Sequence, residues 1–202
     1  LALPSVTPDG ARVVFGSGNV SELEKLYSVP VDGSAAPTLL DGSGSTPDQI
    51  QFDAGGRVVY ISVEDYRGRL FSVPADGSAA PLELSNPQLV PGRVSSFRMN
   101  AARDTVVFTS DHQQLYRSDL LVAPTDGSTP ARTLVVPPAD FRGVNDFAQH
   151  GDAVFFVASL DDARFTELYR VPLDGSAAPL KLSGTLRTGV GPFRVSPDGA
   201  RV

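Results

Sequence analysis

The stretch LYSVPVDGSAAPTLL at residues 26–40 decides the fold, because it returns as LFSVPADGSAAPLEL (70–84), LLVAPTDGSTPARTL (120–134) and LYRVPLDGSAAPLKL (168–182). Its Asp-Gly-Ser recurs at Asp32, Asp76, Asp126 and Asp174, at intervals of 44, 50 and 48 residues. A second landmark precedes each copy. SVTPDGARVVF (5–15) has weaker counterparts in FDAGGRVVY (52–60), FRMNAARDTVVF (97–108) and FAQHGDAVFF (147–156), and returns clearly as VSPDGARV (195–202). The aligned positions Arg12, Arg57, Thr105, Ala153 and Arg201 are 45, 48, 48 and 48 residues apart. Self-similarity at a fixed period identifies a repeat architecture and outweighs any single motif.

Each period divides into four short strands. The first, such as Phe97–Asn100 or Phe193–Ser196, ends in a Pro-Asp-Gly type of turn, where Pro presets φ and Gly accepts the positive φ that follows. The second is an apolar run such as Val13-Val14-Phe15. The third is the Leu-Tyr-x-Val-Pro segment, and Asp-Gly after it predicts a tight hairpin turn of the primed type. The fourth is the Leu-rich stretch after Ala-Ala-Pro. Four strands per period of this length make a propeller blade.

The expected fold is therefore all-β: a β-propeller of four-stranded antiparallel blades, four complete blades plus the start of a fifth. It forms one domain over 1–202, with repeats of approximately 3–45, 46–92, 93–141, 142–188 and 189–202. A β-sandwich also has short strands but no reason to repeat its sequence at this period. A helical solenoid needs 3.6-residue periodicity, which only VSELEKLY (20–27) faintly shows, and that stretch aligns with a loop and a strand in the other copies. The alignment predicts burial between blades for Val13, Phe15, Val58, Tyr60, Val106, Phe108, Val154 and Phe156, with Tyr27, Phe71 and Tyr169 on the third strands.

At the SPDGARV and LYxVPxDGS positions the chain resembles the TolB-like, or WD-like, propeller repeats, which also occur in relatives of prolyl oligopeptidase. The resemblance covers essentially the whole chain. Blades of that family usually carry a Trp just before Ser-Pro-Asp-Gly, whereas Val6, Phe52, Met99, Phe147 and Val195 occupy or neighbour that place and the chain has no Trp. The resemblance implies a protein-binding propeller in the bacterial periplasm or another extracytoplasmic compartment. It transfers no particular partner, and the α/β domain that precedes the propeller in TolB is not among these residues.

Composition narrows the partners. A formal charge of -6 gives no electrostatic reason to expect nucleic acid or an anionic membrane surface. No apolar run is long enough to span a bilayer, so membrane insertion is not expected, and no signal peptide is visible at the start. The absence of cysteine removes disulfides, thiolate chemistry and Cys-type zinc sites, and suits a cell envelope without requiring one.

Topology locates a candidate site without a motif. If the strands of a blade alternate direction, the stereotyped 1–2 and 3–4 turns share one face. The variable connections share the other: 16–25, 61–69, 109–119 and 157–166 within blades, and 41–49, 85–95, 136–144 and 183–191 between them. On that loop face Tyr66, Arg67, His112, Tyr116, Arg117, Phe141, Arg142, Asp161, Asp162 and Arg164 are the candidate partner-binding residues, because Tyr and Arg combine contact area with directed polar atoms. Ordinary solvated loop residues are the bland alternative for each.

Enzyme chemistry finds little support. There is no G-x-S-x-G elbow. The two histidines fall on opposite faces, His112 in a 2–3 loop and His150 in a 1–2 turn. Asp161 and Asp162 are adjacent on a strand end and read as a solvated charge pair, not a glycosidase pair. DGSGSTPD (41–48) does not match a Ca²⁺ loop. No catalytic residue, metal or cofactor is expected. The expected function is a non-catalytic scaffold that binds a protein partner through the loop face; the alternative is the propeller of a larger hydrolase, gating a catalytic domain outside this chain. Residue 202 falls inside the second strand of the fifth repeat. The expectation is a fragment of a longer propeller, in preference to an open edge covered by another molecule.

Overall fold

The structure is a computed structural model of the chain and describes residues 4–19, 22–41, 46–64, 67–85, 92–111, 113–114, 116–138, 143–162, 164–184, 186 and 188–202. It is all-β, with no helix among these residues. The first blade comprises β1 (Ser5–Val6), β2 (Arg12–Asn19), β3 (Glu22–Pro30) and β4 (Thr38–Asp41). The second comprises β5 (Thr46–Phe52), β6 (Arg57–Glu64), β7 (Arg67–Pro74) and β8 (Leu82–Glu83). The third comprises β9 (Val94–Met99), β10 (Thr105–Ser110), β11 (Asp119–Pro124) and β12 (Arg132–Val135). The fourth comprises β13 (Val144–His150), β14 (Ala153–Ala158), β15 (Glu167–Pro172) and β16 (Leu180–Lys181). Each blade is a four-stranded sheet in sequential order with antiparallel neighbours, the arrangement of a β-propeller. The strands expected at Phe193–Ser196 and up to residue 202 are not formed: residues 189–202 contain no strand, but the Ser196–Arg201 turn repeats the bonds of the Thr7–Arg12 turn, with both Ser196 N to Arg201 O and Thr7 N to Arg12 O at 2.9 Å.

Contacts divide the chain into two compact units. The first is Leu1–Pro87 with Ala102–Asp104 and Ala123–Ala131; the second is Gln88–Ala101, Thr105–Val122 and Arg132–Val202. In the first, Val14, Leu26 and Leu40 of blade one interlock with Phe52, Val58, Tyr60, Val73 and Ala75 of blade two. The face of a blade that receives its predecessor is called leading here, and the opposite face trailing. The Tyr60 hydroxyl on that leading face donates to Asp41 Oδ2 at 3.0 Å. Burial, and then the neighbouring Asp41 charge, push this hydroxyl far above the usual tyrosine range, so it stays a donor. In the second unit Val107, Leu120, Val122 and Val135 of blade three pack with Val144, Phe147, Val154, Phe156, Tyr169 and Val171 of blade four.

The Asp-Gly-Ser turn is built differently from the primed hairpin expected. Gly33 N donates to Pro30 O at 3.2 Å, and Gly33 alone in this turn takes positive φ, 69°. Val31 and Asp32 therefore keep negative φ, as in a type I turn closed by a left-handed glycine. The Asp32 carboxylate accepts Ser34 N at 2.9 Å, and the same bond recurs at Asp76, Asp126 and Asp174. Bonding to Ser34 holds the Asp32 carboxyl below its ordinary range, chiefly through the serine hydroxyl.

Gly77 is fixed by more than its φ. A Cβ there would lie 2.6 Å from Thr38 Cγ2, because the turn of blade two sits against β4 of blade one. A Cβ on Gly127 would likewise overlap Leu82 Cδ2 of β8. Arg132 of β12 donates to Asp174 O at 2.6 Å and to Leu173 O at 2.9 Å in the turn of blade four. The outer strand of one blade thus seats in the third-to-fourth-strand turn of another.

Two further expectations need correction. Segments 16–25 and 61–69 are mostly strand: β2 and β3 pair out to Asn19 and Glu22, and β6 and β7 out to Glu64 and Arg67. Val58, Tyr60, Val106, Phe108, Val154, Phe156 and Tyr169 are buried as expected. Val13, Phe15, Tyr27 and Phe71 are only half-buried. The first three lie on the leading face of blade one, whose other face is the one turned to blade two; Phe71 lies under the Arg69 guanidinium, 5.3 Å from its ring centroid.

Gly33 and Gly77 share one φ but not one environment, since nothing lies within 4 Å of a Cβ built on Gly33. Gly33→Ala is expected to cost about 1–2 kcal/mol through its backbone alone. Gly77→Ala should cost at least about 1 kcal/mol more, because the β-branched Thr38 yields little. Thermal melts of the two variants check this, and equal losses would contradict the seating.

Candidate functional site

Within each sheet the 2–3 connection lies at the end opposite the 1–2 and 3–4 turns. In blades three and four the described residues of this connection, 111, 113–114 and 116–118 in one and 159–162 and 164–166 in the other, form no strand. Asp111 organises the first. Its carboxylate accepts Arg93 N and, at 3.3 Å, Tyr116 N, while Asp111 N donates to Arg93 O at 3.3 Å. Tyr116 takes φ 67° and is 72% exposed. A bulky residue in the left-handed region persists only where its surroundings hold it there.

Arg117 supplies much of that hold. It grips the buried carboxylate of Asp119 through both oxygens, at 3.0 and 3.3 Å, and donates to Gln114 and Gln113 Oε1 at 3.1 and 3.2 Å. Its donors are therefore engaged within the loop, while Tyr116 is an outward side chain among the described residues. At the start of this loop Ser110 Oγ is buried with no hydrogen-bond partner among the described residues.

The blade-four loop uses the same chemistry on the surface. The Asp162 carboxylate accepts Arg164 N at 2.9 Å and Arg164 Nη2 at 2.7 Å. The exposed Arg164 guanidinium lies 5.4 Å from the Phe165 ring centroid. Its bond to Asp162 raises the arginine pKa above its already high value. Asp161 pairs instead with Lys181 Nζ at 3.1 Å, and the same ammonium bonds Glu167. Tyr169 donates to Glu167 at 2.8 Å, and burial, then this bond, lift its hydroxyl well above the usual range. Asp161 and Asp162 thus each hold a different cation.

Backbone bonds tie these loops to the inter-blade connections. Val144 N donates to Ser118 O at 2.9 Å, and Val190 N to Thr166 O at 2.7 Å. In the second unit the described parts of these connections therefore share one end, and Tyr116, Arg117, Asp161, Asp162 and Arg164 lie at it. Arg67 is exposed as the first residue of β7, on a strand and not in a loop. Tyr66, His112, Phe141 and Arg142 lie outside the described residues. His150 ends β13 at the turn end, against Gly199. Sequence reasoning missed the bracing role of Asp111, Gln113, Gln114 and Asp119, and the Glu167–Lys181 pair; only the close spacing of Asp111, Arg117 and Asp119 signals it.

No protein-family model matches the chain, and no curated protein matches it. Solved structures do. The chain is 18% identical to the assigned TolB of Agrobacterium tumefaciens, over 88% of this chain and 63% of that one, with a TM-score of 0.54. It is 12% identical to TolB from Acinetobacter baumannii, over 85% and 40%, with a TM-score of 0.51. Against dipeptidyl peptidase 4 from Porphyromonas gingivalis it is 17% identical, over 88% and 25%, with a TM-score of 0.63. The chain therefore spans less than two thirds of each of these proteins, and at such identities the likeness establishes the β-propeller fold alone.

Arg117→Ala is expected to lower stability by about 1.5–3 kcal/mol, because a charged hydrogen-bonding partner of buried Asp119 is lost. Arg164→Ala, an exposed pair, should change it by less than about 0.5 kcal/mol. Denaturant titrations compare the two, and an Arg117→Ala protein as stable as the parent would contradict the bracing role.

Proposed function

We propose that the chain is a non-catalytic propeller scaffold that binds a protein partner through the loop end of its blades, in a bacterial extracytoplasmic compartment. One observation carries this most: Tyr116 and Arg164 project from loops whose own hydrogen bonds fix them beforehand. A large aromatic and a guanidinium held in place lose little freedom on binding, which is the property of interface anchors. Arg67, Asp161 and Asp162 would add polar rim contacts, and Tyr66, His112, Phe141 and Arg142 belong to the same proposed surface. Arg117 is a positioning residue for Tyr116. The separate cations on Asp161 and Asp162 favour a binding role for these carboxylates over acid and base catalysis.

A second reading has its own support. The likeness to a dipeptidyl peptidase covers 88% of this chain but 25% of that enzyme. In that case the propeller serves a hydrolase by limiting access to its active site, and the catalytic domain lies elsewhere.

Pull-down from bacterial envelope extracts with mass spectrometry tests both. The parent chain should retain a defined protein that Tyr116→Ala with Arg164→Ala loses at least about tenfold, a difference near 1.4 kcal/mol. Asp126→Asn, at the turn end, should leave capture unchanged. Capture lost by Asp126→Asn and kept by the loop double variant would refute the loop-end site. Co-purification of a hydrolase domain would select the second reading.

A further inference from the structure

Asp-Gly is the dipeptide in which aspartate isomerises most readily, because glycine puts no side chain in the way of its own nitrogen. That nitrogen attacks the aspartyl Cγ, a C–N bond forms, and the amide proton leaves with the carboxyl hydroxyl as water. Water then opens the succinimide at its main-chain carbonyl, so that the backbone runs through the aspartyl Cβ and Cγ and is one carbon longer. The step needs a glycine nitrogen that can give up its proton and a neutral carboxyl turned towards it. Six Asp-Gly pairs lie wholly among the described residues, at Asp9, Asp32, Asp76, Asp126, Asp174 and Asp198.

All six are built alike, and against that reaction. The glycine N–H donates to the carbonyl three residues back, at 2.8–3.2 Å. The carboxylate accepts instead from the N–H just beyond the glycine, at 2.9 Å in the four Asp-Gly-Ser turns and 3.0 Å at Asp9 and Asp198. A hydroxyl also donates to it: that of Ser34, Ser78, Ser128 or Ser176 in the former, and that of Thr7 or Ser196, each at 2.6 Å, in the latter. These bonds hold all six carboxyls below their ordinary range, the hydroxyl foremost except at Asp126, where the Ser128 N–H leads.

Three of these turns carry a seat. In the first unit Thr38 lies against Gly77 and Leu82 against Gly127; in the second, Arg132 donates to Asp174 O. An extra backbone carbon there would displace the strand that seats. The residue before the aspartate varies, as Val31, Ala75, Thr125 and Leu173, but the serine after the glycine does not.

We propose that the serine of each Asp-Gly-Ser turn protects its aspartate from isomerisation, and so keeps the seats at Gly77, Gly127 and Gly175 from being rebuilt one carbon longer. This role is independent of the loop-end binding proposed above.

Peptide mapping with an isoaspartate-specific label, on protein aged at neutral pH, tests it. In the folded parent, Asp76 should isomerise at least about tenfold more slowly than in the chain held in denaturant, because its bonds must open first. Ser78→Ala should raise the folded rate at Asp76 by about two- to tenfold, the weight of one hydrogen bond, and leave the rate in denaturant as it was. Ser78→Thr, which keeps the hydroxyl, should hold the parent rate. Asp126 in the same molecules is the internal reference and should not change. If Ser78→Ala loses strand circular dichroism, Ser128→Ala read at Asp126, with Asp76 as reference, takes its place. Equal rates at Asp76 in the folded and denatured parent, or a Ser78→Ala rate equal to the parent's, would overturn the proposal. So would equal acceleration at Asp76 and Asp126, which would assign the protection to overall stability and not to the serine.

Discussion

The structure depends on a close approach: the outer strand of one blade lies in the turn between the third and fourth strands of another. At Gly77 the space between turn and strand is too small for a Cβ, so the repeat keeps glycine for contact as well as for φ. That contact places the apolar faces of the blades together, Val14, Leu26 and Leu40 against Val58, Tyr60 and Val73 in the first unit. Once the faces meet, the few polar groups between them must be satisfied, as Tyr60 and Ser62 are by Asp41. The stereotyped turns are therefore assembly elements, and the opposite end of each blade is free to vary.

Sequence periodicity made the blades legible because every repeat must solve the same packing problem with similar residues. Four-strand blades, their order and most buried second-strand positions follow from it. The turn type did not, since Asp-Gly fits both a primed hairpin and a type I turn closed by left-handed glycine, and the Gly33 to Pro30 bond and the positive φ confined to Gly33 separate them. Nor did the lengths of β2, β3, β6 and β7. Polar runs such as Gly16-Ser17-Gly18-Asn19 carry no strand pattern, yet their backbones continue the ladder that the apolar residues begin. Burial at Val13, Phe15 and Tyr27 was overestimated, because alignment assigns every blade the same neighbours.

The loop end was legible only as a location. Arg117 looked like a contact residue by type, but its guanidinium faces the buried Asp119, and the residue that projects is Tyr116. An arginine in a loop can anchor a partner or anchor the loop, and the difference lies in where its carboxylate is. Arg164 and Asp162 show the other case, with both members of the pair substantially exposed. Rigid loops on a repeated scaffold separate the residues that specify the fold from those free to specify a partner.

The seating of an outer strand in an adjacent turn is open to a direct chemical test, because the chain has no cysteine of its own. A Cβ on Gly77 would lie 3.7 Å from the Thr38 Cβ, within the range a disulfide spans. Thr38→Cys with Gly77→Cys should therefore cross-link under mild oxidation, while Thr38→Cys paired with Gly33→Cys should not form an intramolecular bond. Quantitative oxidation of the first pair alone is the predicted result. Free thiols in the first pair, in a protein that keeps its strand content, would contradict the blade-to-blade contact on which the structure rests.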